Sequence, residues 1–124
     1  MLTLARAGDV WILRVDDPKL TYPALSSFFA EVRRIVDGGA RKLVIDLAAV
    51  AHIDSPCIGC LMDIHRLVEQ HGGVLKLAGF QPRVETLLSM TGVHKILDVH
   101  REPAEALAAF DTLTVDRRVA VGHE

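Results

Sequence analysis

Along the chain, Leu2 and Leu4 alternate with polar neighbours, and after Ala7-Gly8-Asp9 an apolar run from Val10 to Val15, containing Trp11, completes the pattern of a β-hairpin. Asp16-Asp17-Pro18-Lys19 breaks it. Thr21 before Tyr22-Pro23 predicts the cap of a helix in which Leu25, Phe28, Phe29, Val32, Ile35 and Val36 keep the helical period. Gly38-Gly39 ends that helix, and Lys42 to Leu47 reads as a strand buried on both faces. Asp54-Ser55-Pro56 then predicts a second helix start, with Ser55 as N-cap and Pro56 at the first helical position. Ile58, Leu61, Met62, His65 and Val68 form its apolar face, and Gly72-Gly73 stops it near His71. A strand follows over Val74, Leu75, Leu77 and Ala78. Pro82 opens a helix carrying Val84, Leu87 and Leu88 that closes near Gly92. Ile96 to Val99 reads as a short strand, and Pro103 begins a last helix with Ala106, Leu107 and Phe110.

Strands alternating with helices predict an α/β fold: a mixed, mostly parallel sheet of four or five strands with about four packed helices, the N-terminal hairpin supplying an antiparallel edge. With 124 residues, half of them apolar, the chain fits one domain, expected over residues 1–111. The tail at 112–124 is expected to be an extra edge strand or disordered.

A formal net charge of −2, with 14 basic and 16 acidic residues, gives no cationic field for nucleic acid or anionic lipid. No apolar run reaches the roughly 18 to 20 residues that span a bilayer, and the first residues lack a signal peptide's apolar core. A cytoplasmic protein without membrane insertion is expected. Cys57 and Cys60, the two cysteines, sit one helical turn apart and cannot staple distant segments.

The Cys57-Ile58-Gly59-Cys60 motif lies at a helix start, where thiolates are stabilised, so a small thiol redox protein is one reading; two small residues that let the helix sit close to the sheet are the plainer one. A single C-x-x-C, with His52 and His65 the only nearby imidazoles, is a weak metal signal, and no metal or other cofactor is expected. Asp46 and Asp54 could form an acidic pair at the sheet's C-terminal end, but local backbone hydrogen bonding for Asp46 and helix capping for Asp54 is the favoured reading. The six histidines are scattered, and no glycine-rich nucleotide cradle is present. Ser55 reads either as an N-cap worth about 1 kcal/mol or as a phosphorylation site whose phosphate would add about −1.5 to −2 charges beside Asp54.

Leu43-Val44-Ile45-Asp46-Leu47, His52-Ile53-Asp54-Ser55, Ile58-Gly59, Gly72-Gly73 and Leu87-Leu88-Ser89-Met90-Thr91-Gly92, in that order, resemble a STAS domain of the bacterial anti-sigma factor antagonist group. The resemblance runs from about Arg41 to Phe110. It implies a non-enzymatic module that controls transcription by partner switching: it binds an anti-sigma factor, often a serine kinase, and so frees a sigma factor. Phosphorylation by that kinase ends the binding and a serine phosphatase restores it. The family's pattern is Asp-Ser-Ser-Gly or Asp-Ser-Thr-Gly, with the second hydroxyl residue as phosphoacceptor. Here Pro56 holds that place and Cys57 the glycine's, so only Ser55 remains as a local acceptor; Thr21 stands where an acid is common. The expected contact surface comprises Leu20, Thr21, Tyr22, His52, Asp54, Ser55, Pro56, Cys57, Ile58 and Gly59, on a monomer or weak dimer. A phosphate-independent STAS scaffold, in a sensory complex or a lipid-transport ABC system, is the alternative that Pro56 favours.

Overall fold

The computed structural model describes residues 2–110. Strands β1 (Leu2–Ala7) and β2 (Val10–Val15) form the expected hairpin, joined by a two-residue turn in which Gly8 takes a φ of 63°. Only glycine enters that region freely, and glycine at the first turn position matches the right-handed twist of the flanking strands. Two residues, Lys19–Leu20, make β3; α1 follows over Tyr22–Asp37, β4 over Lys42–Asp46, β5 over His52–Ile53 and α2 over Ser55–Gln70. Strand β6 (Val74–Ala78), α3 (Pro82–Thr91), a 3-10 turn (Val93–Lys95), β7 (Asp98–His100) and α4 (residues 103–110) complete the described chain.

The main sheet runs in the order β1-β2-β4-β6-β7, antiparallel only between β1 and β2. One face carries Leu13, Val15, Leu43, Ile45, Leu75 and Leu77 against α1, α2 and α3. Those helices meet it with Phe28 and Val32 of α1, Leu61 and Val68 of α2, and Val84 and Leu88 of α3, as their spacing predicts; in α2 the buried stripe also takes Cys57, Ile64 and Leu67 and leaves Ile58, Met62 and His65 only half-buried. The opposite face is smaller: Val10, Val44 and Ala78 lie under Ala106 and Phe110 of α4. Lys76 shares that face, 3% exposed, paired with Asp98 and 4.9 Å from the Phe110 ring centre.

Three local expectations are corrected. The strand expected at Ile96 to Val99 forms over Asp98–His100, because Gly92 at φ 76° turns the chain into the 3-10 segment and leaves Ile96 exposed. Ser55 is not the cap of α2 but its first residue; Asp54 is the cap. Strands β3 and β5, which pair with each other in parallel, were not anticipated. The residues of the tail at 112–124 lie outside those described.

Candidate functional site

The starts of α1 and α2 are joined by one carboxylate. Asp54, in extended backbone at φ −123°, accepts at Oδ1 from the Cys57 N–H at 3.0 Å and at Oδ2 from the Tyr22 N–H at 2.9 Å. The Tyr22 bond satisfies a first-turn donor of α1, the Cys57 bond adds to that amide's own 3.0 Å bond to the Asp54 carbonyl, and the negative charge sits at the positive end of two helix dipoles. Asp54 displaces Ser55 as the cap because its carboxylate reaches an amide three residues on while its charge matches both dipoles. Thr21 occupies the cap position of α1, but its hydroxyl makes no capping bond there; the Tyr22 amide is served by Asp54 instead.

The short β3–β5 ladder brings these helix starts together. Lys19 pairs with His52 and Leu20 with Ile53, while the Pro18 carbonyl accepts from the Ala51 and His52 amides at 2.8 and 3.0 Å. With Leu20 3% and Ile53 9% exposed, the ladder is anchored in the core. What it leaves outside is Tyr22, 72% exposed, sharing a groove with Pro56 and Gly59, with Ser55 exposed in the same first turn of α2. That groove, between the two helices, is lined by Tyr22, Pro23, Ser26, Pro56, Gly59 and Asp63.

Of the ten expected contact residues, eight are wholly or partly exposed, Thr21, Tyr22, His52, Asp54, Ser55, Pro56, Ile58 and Gly59, and Tyr22, Pro56 and Gly59 share the groove. Leu20 and Cys57 do not. Both are buried, Cys57 completely, because the apolar stripe of α2 and the inner side of β3 must face the core; they support the surface from beneath. Arg83 was missed. It reaches from α3 to His52, its guanidinium donating to Nδ1 at 3.0 Å, and extends the surface with a positive charge. A contact between residues 52 and 83 leaves no local pattern in the sequence.

The C-x-x-C motif has the wrong electrostatics for redox work. Burial, aided by the charges of Cys60 and Asp54, pushes the Cys57 thiol up to about 12. Burial, with Asp63, pushes Cys60 up to about 11. Reactive thiols need the opposite shift. Asp46, the other half of the possible acidic pair, is 9% exposed and accepts from the Ala48 amide at 2.9 Å. Among the described residues, no three His, Cys, Asp or Glu side chains converge on a point where a metal could sit, and no helix is long and apolar enough to cross a membrane.

Comparison with known proteins agrees with the fold. An anti-sigma F factor antagonist of Paenibacillus polymyxa is 26% identical over 72 residues, covering 58% of this chain and 62% of that protein. The chain therefore spans less than two thirds of that relative's length. A Bordetella bronchiseptica protein, provisionally named an anti-sigma factor antagonist, is 30% identical over 83 residues, covering 67% of this chain and 72% of that protein. A crystal structure from Thermotoga maritima, of a protein given the same provisional name, superposes with a TM-score of 0.81 at 25% identity over 87% of this chain and 92% of that one. The family model of the STAS domain matches residues 2–106, and the chain belongs to that family.

Proposed function

We propose that this STAS domain is a non-enzymatic antagonist that docks an anti-sigma factor of the serine-kinase type on the joined starts of α1 and α2, and thereby releases a sigma factor. The observation that carries this reading is the double use of Asp54, which fixes an exposed aromatic, Tyr22, beside the exposed Ser55, Pro56 and Gly59. Exposed tyrosines on rigid backbone are frequent anchors of protein interfaces, because they bury much area for little lost side-chain freedom. The names of the relatives support the class of partner.

Ser55, exposed in the first turn of α2, is the local hydroxyl through which charge control would act. A phosphate there suits the helix dipole but faces the Asp54 carboxylate, so it changes the surface potential more than the fold. The decisive comparison uses the wild-type chain and Ser55→Asp as baits in extracts of the native cells. A kinase-like anti-sigma factor should be enriched by the wild type about tenfold over Ser55→Asp, roughly 1.4 kcal/mol of binding. Equal enrichment by both baits would place the interface elsewhere.

Pro56 favours a second reading, in which the domain is a scaffold free of phosphate control. Intact mass after incubation with the recovered kinase and ATP separates the two. A phosphate on Ser55 supports switching, and an unchanged mass supports the scaffold.

A further inference from the structure

The two edges of the main sheet are guarded very differently. Strand β7 is three residues long and carries Asp98 and His100, a short charged edge of the kind that discourages further pairing. Strand β1 is six residues long, Leu2-Thr3-Leu4-Ala5-Arg6-Ala7, all but Leu2 exposed, with one charge.

The hairpin dictates which of its backbone groups point outward. A two-residue turn requires Ala7 and Val10 to be a hydrogen-bonded pair. Such pairs alternate along an antiparallel ladder, so Ala5 bonds to Ile12 and Thr3 to Arg14. The N–H and C=O groups of Leu2, Leu4 and Arg6 therefore face away from β2. The side chains of those same three residues lie on the sheet face that α1 covers, opposite Val15, Leu13 and Trp11.

We propose that β1 is the interface at which two copies of this chain pair, antiparallel about a twofold axis through Leu4. In that register Leu4 meets Leu4, and Leu2 of each copy meets Arg6 of the other. The outward-facing residues are the ones that coincide, so every outward N–H and C=O of Leu2, Leu4 and Arg6 finds a partner across the axis. No other twofold register brings all three together.

Charge is compatible with the same arrangement. The groove beside Leu2 is lined in part by Glu31 and Asp17. Glu31 is already paired with Arg34, whose guanidinium holds its carboxyl below the ordinary value. Arg6, which in its own copy lies over the Trp11 ring and donates to the Gly8 carbonyl, is set by pairing about Leu4 beside this groove of the other, twice by symmetry. At the centre, Leu4, 38% exposed, is covered by its own counterpart. The product is a continuous ten-stranded sheet, five strands from each copy. A contact of one strand and two side-chain grooves falls at the small end of the range for stable interfaces, which fits a reversible dimer with a dissociation constant of micromolar order.

Hydrogen exchange on the full chain at rising concentration tests this directly. The amides of Leu4 and Arg6 should gain protection as concentration rises, while Thr3 and Ala5, bonded within each copy, stay unchanged. Sedimentation velocity should show the dimer in parallel. Leu4→Pro removes an outward N–H without touching the hairpin ladder and should return the chain to monomer, as should Arg6→Glu, with unchanged circular dichroism in both. A chain that stays monomeric through the millimolar range overturns the proposal, whether or not β1 then accepts a strand from another protein. A dimer that survives both substitutions overturns it equally.

Discussion

The first two turns of α2 have an inner and an outer side built from alternating residues of the same short stretch. Inside, Cys57 and Leu61 are completely buried against the sheet. Outside, Ser55, Pro56 and Gly59 face solvent beside Tyr22. Both sides share one helix dipole, which should lower a thiol's pKa and welcome a negative charge. On the inner side it loses: a helix terminus contributes only about 0.3 to 1 kcal/mol, whereas burial, aided by the charges of Cys60 and Asp54, pushes the Cys57 thiol up to about 12. The dipole matters only where water reaches it. That contrast assigns packing to Cys57 and leaves the outward residues, with the half-buried Cys60, free to meet a partner.

Reactivity gives the largest expected effect. With Cys60 pushed up to about 11 and Cys57 to about 12, their thiolate fractions at pH 8 should be about 100-fold and about 1,000-fold below that of an ordinary cysteine. Labelling of the folded chain with a thiol reagent should be correspondingly slow, Cys60 reacting before Cys57. The linkage has a definite sign. In the unfolded chain these thiols ionise near 9.0 while the folded chain holds its protons to about 11 and 12, so their stabilising contribution is complete below pH 9 and lost as pH rises from there to about 12. Rapid labelling at pH 8, with a reversible Cys57–Cys60 disulfide, would dissolve the contrast between the two sides.

Asp54→Ala comes next. Losing a charged cap costs about 1 to 2 kcal/mol, measured by urea unfolding, and here the change also frees the α1 start from the α2 start. Partner binding should fall by more than that stability loss explains, and Asp54→Asn should recover most of the stability.

Gly59→Ala has the smallest effect and the most telling direction. A methyl group at Gly59 would meet nothing within 4 Å, and alanine is the better helix former by about 0.8 to 1 kcal/mol. The variant should therefore be more stable, by a rise in the urea midpoint, yet bind the partner less well, because the added group projects into the groove between the helices. A gain in stability with unchanged binding would remove Gly59 from the docking face.

The long elements were legible because their apolar residues recur with the right period: α1 through Phe28, Val32 and Ile35, α2 through Leu61 and Val68, although the period alone missed that Ile64 and Leu67 fill the α2 stripe in place of Met62 and His65. The Gly8 turn and the Gly92 stop were legible for a different reason, since both need a positive φ. Strands β3 and β5 were not, because two residues have no period and their pairing exists only once Pro18 has met Ala51 and His52. Asp54 and Ser55 are both good caps, and nothing local says that Tyr22, far away in sequence, will place its amide within reach of the carboxylate. Asp46 was read correctly as a backbone ligand, and the structure adds that it leaves no room at Gly79, where a Cβ would come within 2.7 Å of its Oδ1.

Amide chemical-shift mapping of the labelled chain, titrated with the anti-sigma factor recovered from the native cells, tests the docking face most directly. The account predicts that the largest changes fall on Tyr22, Ser55, Gly59 and the Arg83–His52 contact. Shifts confined to α4 or the β7 edge, with Tyr22 and Ser55 unmoved, would contradict it.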